Sequence, residues 1–159
     1  MSEPVHRNRS GMTLVEILIT VSIIGLLAAF IIPAYNLAIR SRENSLVASQ
    51  LRQAATAFSM YRMEMGSVPA TRTDGTVPPE IAAYFSSLGI TSWWTNSTPV
   101  GGVWGWNGGS APAVMICNVT RPTSQMLDVD KLLDRVGDLS AGSFCKTRSG
   151  ANYYYSIGQ

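Results

Sequence analysis

Histidine is all but missing from the 159 residues: His6 is the only one, and it lies in the first eleven. Without it downstream, Ser-His-Asp and Cys-His catalysis and every histidine-containing zinc site are excluded from the bulk of the chain. HExxH, GxSxG and Walker A patterns are also absent. Lys131 or Lys146 with a carboxylate could still move a proton, but nothing in the pattern marks such a site. Charge is scarce too. Twelve basic against ten acidic residues leave +2, which gives no electrostatic case for nucleic acid or an acidic ligand. Two cysteines, Cys117 and Cys145, are too few for a metal site without histidine. The expectation is a protein that is not an enzyme, with no catalytic residue, no metal and no cofactor.

What the chain does have is one long apolar run. Met12–Ile32 is almost uninterruptedly hydrophobic, and nothing later resembles it. About twenty helical residues span roughly 30 Å, the thickness of a bilayer's hydrocarbon. The polar segment before it carries Arg7 and Arg9 against Glu3 and ends in Gly11. A secretory signal places its small residue after the apolar stretch; here it stands before it, and the stretch ends in Ile31-Ile32-Pro33. The apolar helix is therefore expected to stay in the mature chain.

Beyond Pro33 the helical pattern continues with a kink, since proline lacks an N–H and clashes with the preceding turn. Val47, Leu51, Ala54, Phe58, Tyr61 and Met65 recur at alternating steps of four and three, one stripe of an amphipathic helix. Arg52, Gln53, Thr56, Ser59 and Glu64 lie off it. Extended backwards, the stripe meets Glu43 and Arg40, so it begins near Val47. Gly66 and Pro69 end a helix of about 55 residues, roughly 80 Å long.

Residues 67–101 form a loop region broken by prolines, with one short helix over Pro79–Leu88. Strands are predicted at Gly102–Trp106, Ala113–Val119 and Asn152–Ile157, the first two joined by a hairpin turn at Asn107-Gly108-Gly109. A short helix over Met126–Val136 is closed by Gly137. The fold class is α+β: a long bent N-terminal helix with a small antiparallel sheet packed on its second half. Trp104 and Trp106 share one face of their strand and are expected to cover the helix's stripe rather than a ligand. Trp93-Trp94 falls in the loop region, placed for an exposed patch or subunit contact.

The line Arg7-Asn-Arg-Ser-Gly11-Met12-Thr13-Leu14-Val15-Glu16, followed by the apolar run, resembles the cleavage and methylation region of type IV prepilins and type II secretion pseudopilins. The resemblance is specific over about Arg7–Pro33. Met12 stands where most members have phenylalanine, another large apolar residue. The resemblance implies that prepilin peptidase, a membrane enzyme, cuts between Gly11 and Met12 and methylates the new N-terminus of Met12. It implies that Glu16, the one ionisable group in the apolar span, faces a neighbouring subunit's terminal ammonium and sets the register of assembly. Independently, a buried acid in lipid costs on the order of 3 kcal/mol and calls for a partner. Pro33, with Gly25, would allow the helix to melt locally during assembly.

On this basis residues 1–11 form a leader, 12–33 the membrane and filament-core helix, 34–66 its amphipathic continuation and 67–159 the head. The expected partners are the peptidase, copies of the chain or related pilins, and the inner membrane before assembly, with the head outside the cytoplasm. A membrane-anchored binding domain that never polymerises is the first alternative. A DNA-uptake minor pilin is the second, with Arg121, Lys146 and Arg148 beside aromatic residues, although acids match bases there. Export would favour a Cys117–Cys145 disulfide, stabilising by roughly 3–4 kcal/mol, over two unpaired thiols. Calcium, held by some pseudopilins near the C-terminus, is weighed for Asp128, Asp130, Asp134 and Asp138, whose spacing suits a solvated helix face better.

Overall fold

One α-helix, α1, runs from Leu14 to Met65 without interruption. Thr13 caps it. Its hydroxyl accepts a hydrogen bond from the Glu16 N–H (3.3 Å), and the Glu16 carboxylate reaches back to the Thr13 N–H (3.5 Å), a capping box at the entrance to the apolar run. Pro33 lies inside the helix. The other end stops at Gly66, whose φ of 66° is left-handed and whose N–H still bonds the Arg62 carbonyl. Only glycine takes that conformation without strain, so the helix ends where the sequence places its stop. The computed structural model describes residues 12–134, 139, 144–146 and 151–157, the backbone alone at 145 and 146.

The chain divides into two compact units, residues 1–39 and 40–159. In the first, the helix carries apolar side chains with nothing packed on them among the described residues, and none of its most hydropathic window is buried. The second begins at Arg40 and joins the amphipathic part of α1 to the expected head of residues 67–159; the name head is used below for this whole unit. After the helix come a 3₁₀ turn at Pro79–Ile81, α2 (Ala82–Ser87) and α3 (Thr91–Trp94). Then follow β1 (Val103–Asn107), β2 (Ala113–Cys117), α4 (Thr123–Leu133), β3 (Phe144–Lys146) and β4 (Tyr153–Ser156). The four strands make one antiparallel sheet in the order β1-β2-β4-β3. Registers such as Trp104↔Ile116 and Met115↔Tyr154 fix which residues share a face.

The α+β architecture matches the sequence expectation, with several local differences. β3 is an additional edge strand, paired only to β4 among the described residues. α4 starts three residues before the predicted Met126, and its expected end at Val136 and Gly137 lies outside the described residues. The predicted helix at Pro79–Leu88 is a 3₁₀ turn running into α2.

The core forms where the sheet lies across α1. Val47, Leu51, Ala54, Phe58 and Tyr61 are buried, as their spacing requires, together with Ala48 and Ala57. Met65, the last residue of the predicted stripe, is 55% exposed, since the final turn runs past the core. Phe58 stacks flat on Trp106, centroids 3.7 Å apart, and meets Phe85 and Trp94 edge-on or tilted. Trp104 and Trp106 therefore cover the stripe, while Trp94 is fully buried against Phe85 and Trp104 rather than exposed in a loop. Two indole N–H groups hold the crossing segment after α1: Trp106 donates to the Pro69 carbonyl (3.0 Å) and Trp94 to that of Thr76 (3.3 Å).

Candidate assembly site

The surface that sets this molecule apart is the first unit of α1. Leu14 is 80% exposed, Phe30 71% and Ile24 64%, and no face of the helix is spared. A helix apolar all round must be enclosed by lipid or by other helices. The apolar exposure does not stop at Pro33: Tyr35, Leu37 and Ile39 are exposed as well, so the all-round apolar stretch runs on to the end of the first unit. Within the run, the Thr20 hydroxyl donates to the Ile17 carbonyl (2.8 Å) and that of Ser22 to Leu18 (2.7 Å). Both hydroxyls are thus satisfied inside their own helix and need no partner in an apolar setting.

Glu16 is the exception. Its carboxylate lies in the first turn, the positive end of the helix dipole, where a negative charge is favoured. Its bond to the Thr13 N–H is at the limit of hydrogen-bonding distance and exposed, leaving most of its acceptor capacity open. The Thr13-x-x-Glu16 pattern is a sequence signature of this cap, a signal that the apolar run had overshadowed. Met12, two residues outside the helix, is exposed; Gly11 lies outside the described residues.

At the head's first turn the apolar stripe gives way to polar contacts. Arg40 pairs with Asp128 at 2.7 Å, and Arg121 with Glu43 at 2.7 Å. Gln125 donates to both Glu43 (3.1 Å) and Asn44 (3.0 Å), with Asn44 and Gln125 themselves buried. The apolar stripe thus begins at Val47, as expected, while the buried face upstream of it docks α4 through polar side chains that a hydrophobic pattern could not register. Further along, Arg52 donates to the Leu132 carbonyl at the end of the same helix.

The remaining candidates are dispersed. Asp128 is taken by Arg40 and Lys131, and the Asp134 carboxylate accepts from the Phe144 N–H at 2.6 Å. Asp130 is buried, and Asp138 lies outside the described residues. Among the described residues no cluster suited to a metal ion occurs. Arg121 is engaged with Glu43; Arg148 and the Lys146 side chain lie outside the described residues.

Cys117 is a buried free thiol, whose pKa burial pushes up. The side chain of Cys145, its expected partner, lies outside the described residues. β4 lies between β2 and β3, and two strand spacings separate the backbones by about 10 Å, beyond disulfide reach without rearrangement.

Comparison with known proteins agrees with this picture at the N-terminus. The family model for the prokaryotic N-terminal methylation motif matches residues 6–32. A type IV major alpha-pilin of Moraxella bovis is 31% identical over 91 residues, covering 57% of this chain and 53% of that protein. The chain thus spans about half the length of the curated relative it matches. No solved structure gives a significant match.

Proposed function

We propose that this chain, whose residues 6–32 match the prokaryotic N-terminal methylation motif, is a structural subunit of a pilus-like or secretion-pseudopilus filament. Cleavage by prepilin peptidase between Gly11 and Met12 frees the Met12 ammonium for methylation. The exposed helix then leaves the bilayer for a bundle of identical helices, and the head from Arg40 onward forms the outer skin. The observation that carries this reading is the wholly unburied apolar run headed by a single acid.

Glu16 supplies direction to that packing. In the membrane its charge is tolerated because it sits near one end of the run and caps its own helix. In a filament it faces the terminal ammonium of a neighbour, and a subunit out of register would leave that charge unpaired. Pro33 supplies a second device: it removes one backbone hydrogen bond mid-helix, giving α1 a place to yield as subunits pack. No step calls for catalysis or a cofactor in this chain.

Mass spectrometry of the protein from its native membrane tests the maturation step. The expected chain begins at Met12 and is one methyl group heavier than the bare sequence. An intact leader, in cells with an active prepilin peptidase, favours instead a membrane-anchored binding domain that never polymerises.

A further inference from the structure

Within the head, α1 is covered unevenly. On one flank α2 packs against it, with Phe85 edge-on to Phe58, Tyr84 edge-on to Tyr61, and the Tyr84 hydroxyl donating to Glu64. Among the described residues the other flank is left open. There α1 and the end of β4 enclose a groove of ≈ 470 Å³, floored by Thr56, Met60, Met63, Tyr155 and Ile157, and extended by a further ≈ 340 Å³ toward Arg62. Arg52 stands at one end and Arg62 at the other, and among the described residues no acid lines either part.

We propose that this groove receives the head of a second copy of the chain, through the exposed carboxylates of Asp74 and Glu80 on the opposite flank. The inference rests on the filament reading above. Three observations choose the occupant. First, the groove continues an exposed line on the assembly helix itself: Leu46, Ser49, Gln53, Thr56, Met60 and Met63 recur at steps of three and four and all face outward. Copies that pack along α1 would run along this line into the groove.

Second, the groove and its complement lie on different flanks. The segment bridged to β1 at Arg72↔Trp106 carries the exposed Asp74, and the turn leading into α2 carries the exposed Glu80. Both belong to the β1 and α2 side of the head, away from the β4 end. A contact between two different patches of one subunit is heterologous, and repeats into a helix unless it closes into a ring. Third, the signs match: two guanidinium groups end the groove, and Asp74 and Glu80 are acids facing solvent. Met60 and Met63 supply a deformable apolar floor able to fit a loop edge.

The test uses the full chain in its own host. A photo-reactive phenylalanine analogue at position 63, where the native side chain is 79% exposed, is irradiated in filament-bearing cells. The expected product is a dimer of the chain whose cross-linked peptide contains Asp74 or Glu80. In parallel, Arg62→Glu and Met63→Glu should reduce sheared-filament yield about tenfold or more at unchanged membrane level, by placing like charges against Asp74 and Glu80. Asp74→Arg with Glu80→Arg should restore much of the Arg62→Glu loss. Cross-links to lipid, to a different protein or only within one chain overturn the proposal, as does normal filament yield from both variants. If the unmodified chain makes no filaments, the filament reading itself fails; wild-type filaments with no effect at position 63 sink only the groove.

Discussion

Glu16→Ala separates assembly from folding, because the residue lies in one compact unit and the core in the other. Alanine removes the only acid in the apolar run. Insertion should become easier by up to about 3 kcal/mol, less for a residue near one end of the span. The helix keeps its best former at that position and loses only the long, exposed contact to the Thr13 N–H. The head, starting 24 residues later at Arg40, should unfold as before.

In a filament the balance reverses. Removing one partner of a buried charge pair costs about 3–5 kcal/mol, which corresponds to roughly a hundredfold or more in association. The assay compares mutant and wild type in membrane and sheared-filament fractions at matched expression. Full membrane level with filament yield near background is expected. Glu16→Gln sharpens the test, since glutamine can still cap Thr13 but carries no charge; it should fail like alanine. Normal filament yield from either variant, in cells with no wild-type copy, refutes the charge-pair mechanism.

Phe58→Ala should cost the head about 3–5 kcal/mol, measured by denaturant unfolding followed through tryptophan fluorescence, because it opens a cavity beside Trp106 and Trp94; a loss below about 1 kcal/mol would contradict the stacked core. The Arg40–Asp128 pair, over a third exposed on both sides, should give a coupling of at most about 1 kcal/mol in a double-mutant cycle, falling as salt is added. Cys117 should react slowly with thiol reagents in the folded head and rapidly once denatured, with both cysteines reactive without reductant; persistent protection after denaturation would restore the Cys117–Cys145 bond. Its raised pKa sets a sign as well. The folded state holds the proton more tightly than the unfolded chain, so this contribution is complete below the ordinary thiol pKa and is lost as pH rises through the folded value.

The sequence made the long helix plain because its signals are strong and local: an unbroken apolar run, a four–three stripe and a glycine stop. Alternation likewise aimed Trp104 and Trp106 at the helix, and Phe58 meets Trp106 there. Other features depend on tertiary context. β3 is three residues long and gains strand character from pairing with β4, which no local pattern announces. Trp94 lies in a single helical turn among turn-forming residues, so its burial follows from Phe85 and Trp104 closing over it. The docking of α4 on Arg40, Glu43 and Asn44 is polar and long-range, invisible to a search for apolar spacing. The separation of the two cysteine strands follows from strand order, which spacing along the chain does not determine.

The central claim is that the apolar helix is buried by copies of itself. Purified sheared filaments, labelled with an antibody to the head and examined by electron microscopy, test it most directly. The account predicts label repeating along the filament, on a protein whose first residue is Met12. Filaments that carry no label, with the chain confined to the membrane fraction, would contradict it.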